Sequence, residues 1–502
     1  MSGKSVTVRR IGTILKPDQS RVLLRPFNMP ADPVDPLRNP YNRAVGPKGM
    51  KVIARIMALS EQEVSVLLGE VLAEFAGRHR QIRELLLERY GEVRHLLLTD
   101  REPSEERKLL IGSYFISEYA MESAALFNPS IVPHPDQSGL PPGSLRFVLS
   151  LRATGEGHIS SITFRSGIIR PDLGIELDPP TRFVTEPAPL PNAYYDKPLF
   201  ERKLRELRLA DEFARRVLAR LDDAFTIEQL RSAIDDALME ARTRAQELAV
   251  EGTARGIWLL ARSNYEVQFQ PGQELSERVI FPANPSQANG IEDARFVLFR
   301  EDDGSGTYYA TYTAFDGRLI IPQLLETADF LRFRFITLNG PAIENKGLAL
   351  FPRRIGGCYA MLSRQDNENI HLMFSDNIHF WYESKIIVKP TFPWEFVQLG
   401  NCGSPIETEA GWLVLSHGVG PMRRYCIGAF LLDRDDPSKV LGRLPEPLLK
   451  PETGEREGYV PNVVYSCGSL VHNGTLVLPY AMSDYATRFA LVPLDELLAA
   501  MI

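Results

Sequence analysis

Asn289-Gly290-Ile291-Glu292-Asp293-Ala294-Arg295 sets two carboxylates and a guanidinium on one turn, and the apolar run Phe296-Val297-Leu298-Phe299 follows directly. Asn-Gly favours a turn because both residues tolerate positive φ. The run behind it reads as a buried strand. A carboxylate at the mouth of a strand, beside a fixed cation, is suited to general acid or base work. A solvated turn with an incidental ion pair is the plainer reading of the same residues.

An internal repeat weighs against that plainer reading. Gly306-Thr-Tyr-Tyr-Ala-Thr-Tyr is echoed by Gly357-Cys-Tyr-Ala-Met-Leu-Ser-Arg364, by Gly411-Trp-Leu-Val-Leu-Ser-His417 and by Gly474-Thr-Leu-Val-Leu-Pro-Tyr. The starting glycines lie 51, 54 and 63 residues apart. Repeats of about 40–50 residues built from several strands are characteristic of propeller blades. Gly157-His-Ile-Ser-Ser-Ile-Thr-Phe-Arg165 reads as a weaker fifth copy. The fold class is therefore mainly β, a five-bladed β-propeller, with a long-looped β-sandwich as the alternative. In such a ring, Arg165, Asp293, Arg295, Lys346, Arg364, Glu407, His417 and Asp484 would converge on one wet pocket, since so many charges around a dry axis would be costly. A pocket of that kind suits a polar, partly anionic substrate.

Helical elements flank the repeat. Residues 1 to about 57 carry Pro30, Pro33, Pro36, Pro40 and Pro47 and read as an irregular arm. Ser60-Glu61-Gln62-Glu63 is a capping box, and Val64, Leu67, Leu68, Val71, Leu72 and Phe75 then share a helical face. Further helices are expected near Gln81–Leu98 and from Ser104 to Ala125. Strands are expected at Phe147–Leu151 and Ile159–Phe164. A second helical stretch, with a capping box at Thr226–Gln229, interrupts the strands over about 197–251, and a short helix closes the chain at Leu494–Met501. The domain reading is a 1–140 arm and helical segment, then a 141–502 propeller interrupted by the 197–251 insertion.

The 502 residues carry 57 Lys and Arg against 64 Asp and Glu, a net charge of −7 that argues against nucleic-acid binding. The N-terminus MSGKSVTVRRIG lacks an apolar signal segment, and no run has the length of a membrane span, so a cytoplasmic protein without a membrane partner is expected. Cys358, Cys402, Cys426 and Cys467 are far apart and read as reduced thiols, and no spacing suggests a zinc site. The acidic turn Asp302-Asp303-Gly304-Ser305-Gly306 lacks calcium-loop spacing, and Gly418-Val419-Gly420 is too short for a dinucleotide site.

Gly290–Arg295, Asn345-Lys346-Gly347-Leu348-Ala349-Leu350-Phe351-Pro352, Arg364-Gln365-Asp366, Pro405–Leu413, Ser416-His417-Gly418-Val419 and Ile427–Asp433 together resemble glycoside hydrolase family 130. The order and spacing of these motifs, over roughly 145–195 and 255–495, carry the resemblance. It implies β-mannoside phosphorylases and related β-mannosidases on a five-bladed propeller, with no cofactor and inorganic phosphate as co-substrate. Asp293 matches the family's Glu-Asp-Pro-Arg acid, with Ala294 where proline is usual. That acid protonates the glycosidic oxygen, using the sugar 3-hydroxyl as relay. Lys346 and Arg364 match phosphate-gripping positions, and His417 and Arg295 are placed with them. Ser160, Ser161, Arg165, Glu292 and Asp484 resemble substrate contacts, those other than Glu292 being assigned to the donor subsite. The flanking helices imply, through relatives, a homo-oligomer.

Glu407 stands where several phosphorylases have lysine, and Gly347 where some have asparagine. The expected activity is inverting phosphorolysis of β-mannobiose or β-mannooligosaccharides to α-mannose 1-phosphate and a shortened sugar. Phosphate attacks from the face opposite the acid, through an oxocarbenium-like transition state. The rival within the family is an inverting β-mannosidase with Asp293 as acid and Glu407 as base. Outside it, the rival is a non-catalytic propeller that binds glycans or a protein.

Overall fold

The alternating apolar and turn-rich second half of the chain folds into antiparallel sheets. In the computed structural model, residues 6–27, 47–190, 194–240, 244–315 and 320–501 are described. Pro30, Pro33, Pro36 and Pro40 of the expected arm lie outside them, and Pro47 opens the helix Pro47–Met57. Among the described residues 37% are strand and 25% helix, so the chain is mainly β.

Among the described residues five sheets hold four or more strands, and none of them is closed. In spatial order the first runs Ala125–Pro133, Leu145–Thr154, Ser160–Ile169, Val279–Ile280. The second begins Ile291–Arg300, Gly306–Phe315, Ile320–Thr327, Arg332–Thr337. The third is Lys346–Leu350, Tyr359–Arg364, Ile370–Ser375, Lys385–Val388. The fourth is Gln398–Asn401, Gly411–Val419, Tyr425–Leu432, Val440–Arg443, with Ile406–Thr408 beside its second strand. The fifth is Val464–Tyr465, Thr475–Met482, Ala486–Pro493, completed by the N-terminal strand Arg9–Leu15.

The repeat glycines 306, 357, 411 and 474 each begin the second strand of a sheet or lie one or two residues before it. The copy at Gly157–Arg165 does not. It falls on a third strand, and the true second strand of the first sheet is Leu145–Thr154.

The chain divides into two compact units, 1–17 with 124–180 and 186–502, and 18–123 with 181–185. Residues 125–133, expected within the helical segment, are therefore a strand of the first sheet. The smaller unit holds the helices Pro47–Met57, Glu61–Phe75, Ile82–Val93 and Glu105–Ser113 and the strand pair Val22–Pro26 with Ile116–Ala120. Ser60 and Glu63 form the expected capping box. The helix expected from Ser104 to Ala125 ends at Ser113, because Ile116–Ala120 gains a full ladder with Val22–Pro26. Arg21 and Glu122 form a fully buried ion pair at 3.0 Å in this unit.

In the larger unit the second helical group runs Lys197–Glu206, Glu212–Leu218, Ile227–Met239 and Arg244–Arg262, eleven residues beyond the expected end. Phe200, Leu204, Phe213, Val217, Leu230 and Ile257 form its own core. The Thr226 capping box is present. All four cysteines are free thiols.

Candidate active site

In each of the five sheets the first strand carries a polar side chain near the end of its antiparallel second strand. The first strands bring Asn128, Glu292 with Asp293, Lys346, Asn401 and Tyr465. The second strands bring Arg152, Arg364 and His417, and Asp484 follows the last of them. Register fixes the pairing: Phe127 faces Arg152, Lys346 faces Arg364, and Gly400 faces His417.

Three of the first strands are bulged at this end, between Phe127 and Ser130, Glu292 and Arg295, and Lys346 and Ala349. The bulges hold Asn128 at φ 49°, Asp293 at φ 55° and Gly347 at φ 88°. Asn, Asp and Gly are the residues that enter the left-handed region most readily. A bulge re-aims the side chain it carries. Here it turns Asp293 toward Asn128 and Arg152.

Arg152 binds both carboxylates, Nη2 donating to Glu292 Oε1 at 2.7 Å and Nη1 to Asp293 Oδ1 at 3.2 Å. Its Nε donates to Ser160 Oγ at 2.9 Å. Lys346 Nζ donates to Glu292 Oε2 at 2.7 Å, and Asn128 Nδ2 to Asp293 Oδ1 at 2.6 Å. The side chains of Asp293, Glu292, Arg152 and Lys346 remain 15%, 13%, 19% and 31% exposed, so solvent reaches the cluster. Burial pushes the Asp293 carboxyl up, but Arg152, Arg295, Lys346 and the Asn128 hydrogen bond outweigh it and hold the group at about 2. Asp484 goes the other way. Burial raises it to about 6, with the Asp293 charge adding to the rise and Arg152 opposing it. Two carboxyls with divergent affinities for a proton are a common basis for acid and base roles.

Arg295 is 3% exposed, and its guanidinium is committed within the protein. Nε donates to the Cys402 carbonyl at 2.9 Å, Nη1 to the Asp293 carbonyl at 3.2 Å and Nη2 to Tyr465 Oη at 2.6 Å. It ties three sheets together and fixes the Asp293 backbone, so it is a positioning residue. The Tyr465 ring lies 4.9 Å from that of His417, centroid to centroid. His417 Nε2 is 3.2 Å from Arg364 Nη1. Burial and the charges of Arg364 and Arg295 keep His417 neutral, well below the usual imidazole range. Gly400 makes this pair possible, since a Cβ there would lie 2.5 Å from His417 Cε1 and 3.1 Å from Arg364 Cδ. Asn401, fully buried, has neither amide atom bonded among the described residues. Polar atoms left open in this way beside a guanidinium are groups waiting for a polar ligand or water.

Three expected site residues lie or face elsewhere. Glu407 pairs in register with Trp412, five residues before His417 on the same strand and so about 17 Å from it. There it accepts from Arg353 at 3.0 and 2.7 Å and from Arg434 at 3.0 Å, an ion-pair network at the far end of the sheet. Arg165 sits five residues beyond Ser160, on the opposite face of its strand, with Nη1 bonded to Thr163 Oγ1 and the Phe164 carbonyl. Ser161 also faces away from Ser160, its buried Oγ unbonded among the described residues. Arg152, Asn128, Asn401 and Tyr465 were not singled out from sequence. Aligning the fifth repeat on Leu145–Thr154 would have exposed Arg152.

A family model described as beta-1,4-mannooligosaccharide phosphorylase, that of glycoside hydrolase family 130, matches residues 261–502. The chain is 36% identical over 231 residues to a 1,2-beta-oligomannan phosphorylase from Thermoanaerobacter sp. (strain X514), spanning 44% of this chain and 75% of that protein. It is 31% identical over 232 residues to a beta-1,2-mannobiose phosphorylase from Listeria innocua, 44% of this chain and 62% of that one. The solved structure of the beta-1,2-mannobiose phosphorylase from Listeria innocua, in complex with beta-1,2-mannobiose, aligns over 75% of this chain and 92% of that chain at 21% identity, with a TM-score of 0.44. The chain belongs to glycoside hydrolase family 130.

Proposed function

We propose that the protein is an inverting phosphorylase of β-mannosides, with Asp293 as general acid and inorganic phosphate as the nucleophile. The observation that carries this is the side-by-side placement of an aspartate among cations and an Arg364–His417 pair with open polar atoms around it. The five sheets, with matching strand ends around these residues, support reading them as five propeller blades.

The surrounding cations favour the ionised form of Asp293. A phosphate dianion bound by Arg364, Asn401 and His417 offsets that positive charge and raises the proton affinity of Asp293. Arg contributes a planar fork and neutral His417 a hydrogen bond. Asp293 then delivers its proton through the mannosyl 3-hydroxyl to the glycosidic oxygen. The C1–O bond breaks as a phosphate oxygen attacks C1 from the other face, giving α-mannose 1-phosphate and the shortened sugar. The proton given to the leaving sugar is balanced by the one monohydrogen phosphate loses on becoming an ester. Lys346, held by Glu292, is poised to add a point charge to the phosphate, and we assign Asp484 and Ser160 to the donor sugar. Ser161 keeps the donor-subsite role only if a ligand reaches its face.

The hydrolytic reading required a base on the far side of the bond, about 6.5–9.5 Å from the acid. The pairing of Glu407 with Arg353 and Arg434 at the other end of the sheet favours the phosphorolytic reading. No helix among the described residues is long and apolar enough to cross a membrane. A cytoplasmic setting and a homo-oligomeric assembly remain part of this proposal.

The test is to incubate the protein and its Asp293→Asn variant with β-1,2- and β-1,4-mannobiose, with and without phosphate. Asparagine tolerates the left-handed backbone at 293, so the variant retains its fold. Mannose 1-phosphate forming only with phosphate and only in the unaltered protein supports the assignment. Free mannose at an equal rate without phosphate overturns it.

A further inference from the structure

Beside the site described above, the end of the helix Lys197–Glu206 and the loop after Thr337 line an open cavity of about 840 Å³. Arg202, Arg205 and Arg208 line it, with Glu206 as the one carboxylate of the lining. The four side chains are not equivalent. Arg202 lies 3.9 Å over the Phe380 ring and donates to Tyr382 Oη at 2.9 Å, and Tyr382 Oη donates to Glu206 at 2.9 Å. One arginine and the carboxylate are thus committed to each other through a tyrosine. Arg205 and Arg208 have no side-chain partner among the described residues. Arg205 lies one residue inside the end of that helix and Arg208 two residues past it, and the turn between them keeps their Cα atoms within about 7 Å, a separation that lets two guanidinium groups bracket one anion. Arg208 is also held at φ 57°, an uncommon conformation for a long side chain, with its amide bonded to the Arg205 carbonyl.

The opposite wall is rigid. Asn339 N donates to the His379 carbonyl and Trp381 N to the Asn339 carbonyl, both at 2.9 Å. Gly340, at φ 104°, lets this wall close up, because a Cβ there would lie 2.1 Å from the Trp381 carbonyl oxygen. Pro322, Pro341 and Ile343 give the cavity an apolar floor. Its volume falls in the range of small-molecule sites. The floor is also tied to the catalytic end of the sheet. Pro322 pairs with Thr313, which pairs with Glu292, so two strand spacings, about 10 Å, separate them. Ile343 stands three residues before Lys346.

We propose that this cavity is a second anion site, which takes a sugar phosphate with its phosphate on Arg205 and Arg208 and its ring on the Pro322–Pro341–Ile343 floor. Net positive charge, two uncommitted guanidinium groups and an apolar shelf suit that ligand class better than a neutral sugar, which would leave the arginines unused. The site is separate from the Arg364–His417 pair and does not depend on which reaction the protein catalyses.

Calorimetric titration with mannose 1-phosphate tests it, comparing the unaltered protein with Arg205→Ala/Arg208→Ala and, independently, with Pro341→Glu. The expected result is the loss of one equivalent of bound mannose 1-phosphate per chain in both variants, with melting temperature unchanged. If the phosphorylase reading is right the count falls from two to one; if that reading fails it falls from one to zero, so the two failures are distinguishable. An equal count in the unaltered protein and either variant overturns the proposal. Inorganic phosphate and mannose are titrated alongside. At least tenfold weaker binding of each at the variant-sensitive site supports a sugar phosphate, and equal binding of inorganic phosphate overturns that part of the assignment.

Discussion

Arg152 reaches Asp293 from 141 residues earlier in the chain, its Nη1 3.2 Å from Asp293 Oδ1, and spans to Glu292 with its other terminal nitrogen. It is the cation that allows two adjacent carboxylates to sit in a partly buried cluster. Arg152→Ala would leave Lys346 as the only side-chain partner of Glu292 and Asn128 as that of Asp293. Breaking a buried pair from one side typically costs about 3–5 kcal/mol, less where solvent still reaches it. Urea unfolding is expected to show a loss of about 2–4 kcal/mol, together with a fall in kcat/KM of at least about a hundredfold.

Asp484 makes stability depend on pH with a definite sign. Its proton affinity is raised in the fold to about 6, against 3.8 for the ordinary group. The native state therefore binds more protons than the unfolded chain between these values. Its contribution is most favourable below about pH 4 and is lost as pH rises through 6, by at most about 3 kcal/mol. Asp484→Asn, which suits the φ of 50° at this position, is expected to remove that loss. Urea midpoints at pH 4, 5, 6 and 7 should show the variant gaining on the unaltered protein as pH rises. A constant difference across the series would contradict the assignment.

Gly400 is the space that His417 and Arg364 share. A methyl group at 400 would meet His417 Cε1 at 2.5 Å and Arg364 Cδ at 3.1 Å, so the pair must separate. Gly400→Ala is expected to raise the KM for phosphate by roughly tenfold and to cost about 1–3 kcal/mol by overpacking. Steady-state kinetics with phosphate varied at saturating mannobiose reads the first effect and thermal melting the second.

Glu407 distinguishes phosphorolysis from hydrolysis in the opposite direction. Held by two arginines and 30% exposed, it is a surface ion-pair partner. Glu407→Gln should leave kcat within about twofold and cost about 1 kcal/mol or less in stability. A loss of turnover comparable to that of Asp293→Asn would restore it as a catalytic base.

Much of this site could be read in the sequence because first and second strands carry recognisable punctuation. Asn289-Gly290 announced the entry to Asp293, and the glycine-led repeats placed Arg364, His417 and Asp484 at matching strand ends. Arg152 was missed because the fifth copy was aligned from Gly157 and not from Gly143, two residues before Leu145–Thr154, which slid the repeat onto the next strand and put Arg165 forward instead. Asn128 and Asn401 carry no motif; their role comes from a bulge and from burial, which no spacing encodes. Glu407 looked catalytic by motif, yet strand rise sets it at the opposite end of the sheet from His417. The strand Ala125–Pro133 was masked by Pro129, which sits in the bulge and so costs the ladder little.

The central claim, that Arg364 holds the attacking phosphate for a bond cleaved with Asp293 as acid, is tested most directly by initial rates against phosphate concentration for the unaltered protein and Arg364→Ala. The expected result is saturable, obligatory phosphate dependence in the first and a fall of about a hundredfold in kcat/KM for phosphate in the second, with mannose 1-phosphate the sole mannosyl product of both. Unchanged phosphate dependence in Arg364→Ala, or mannose released without phosphate, would contradict it.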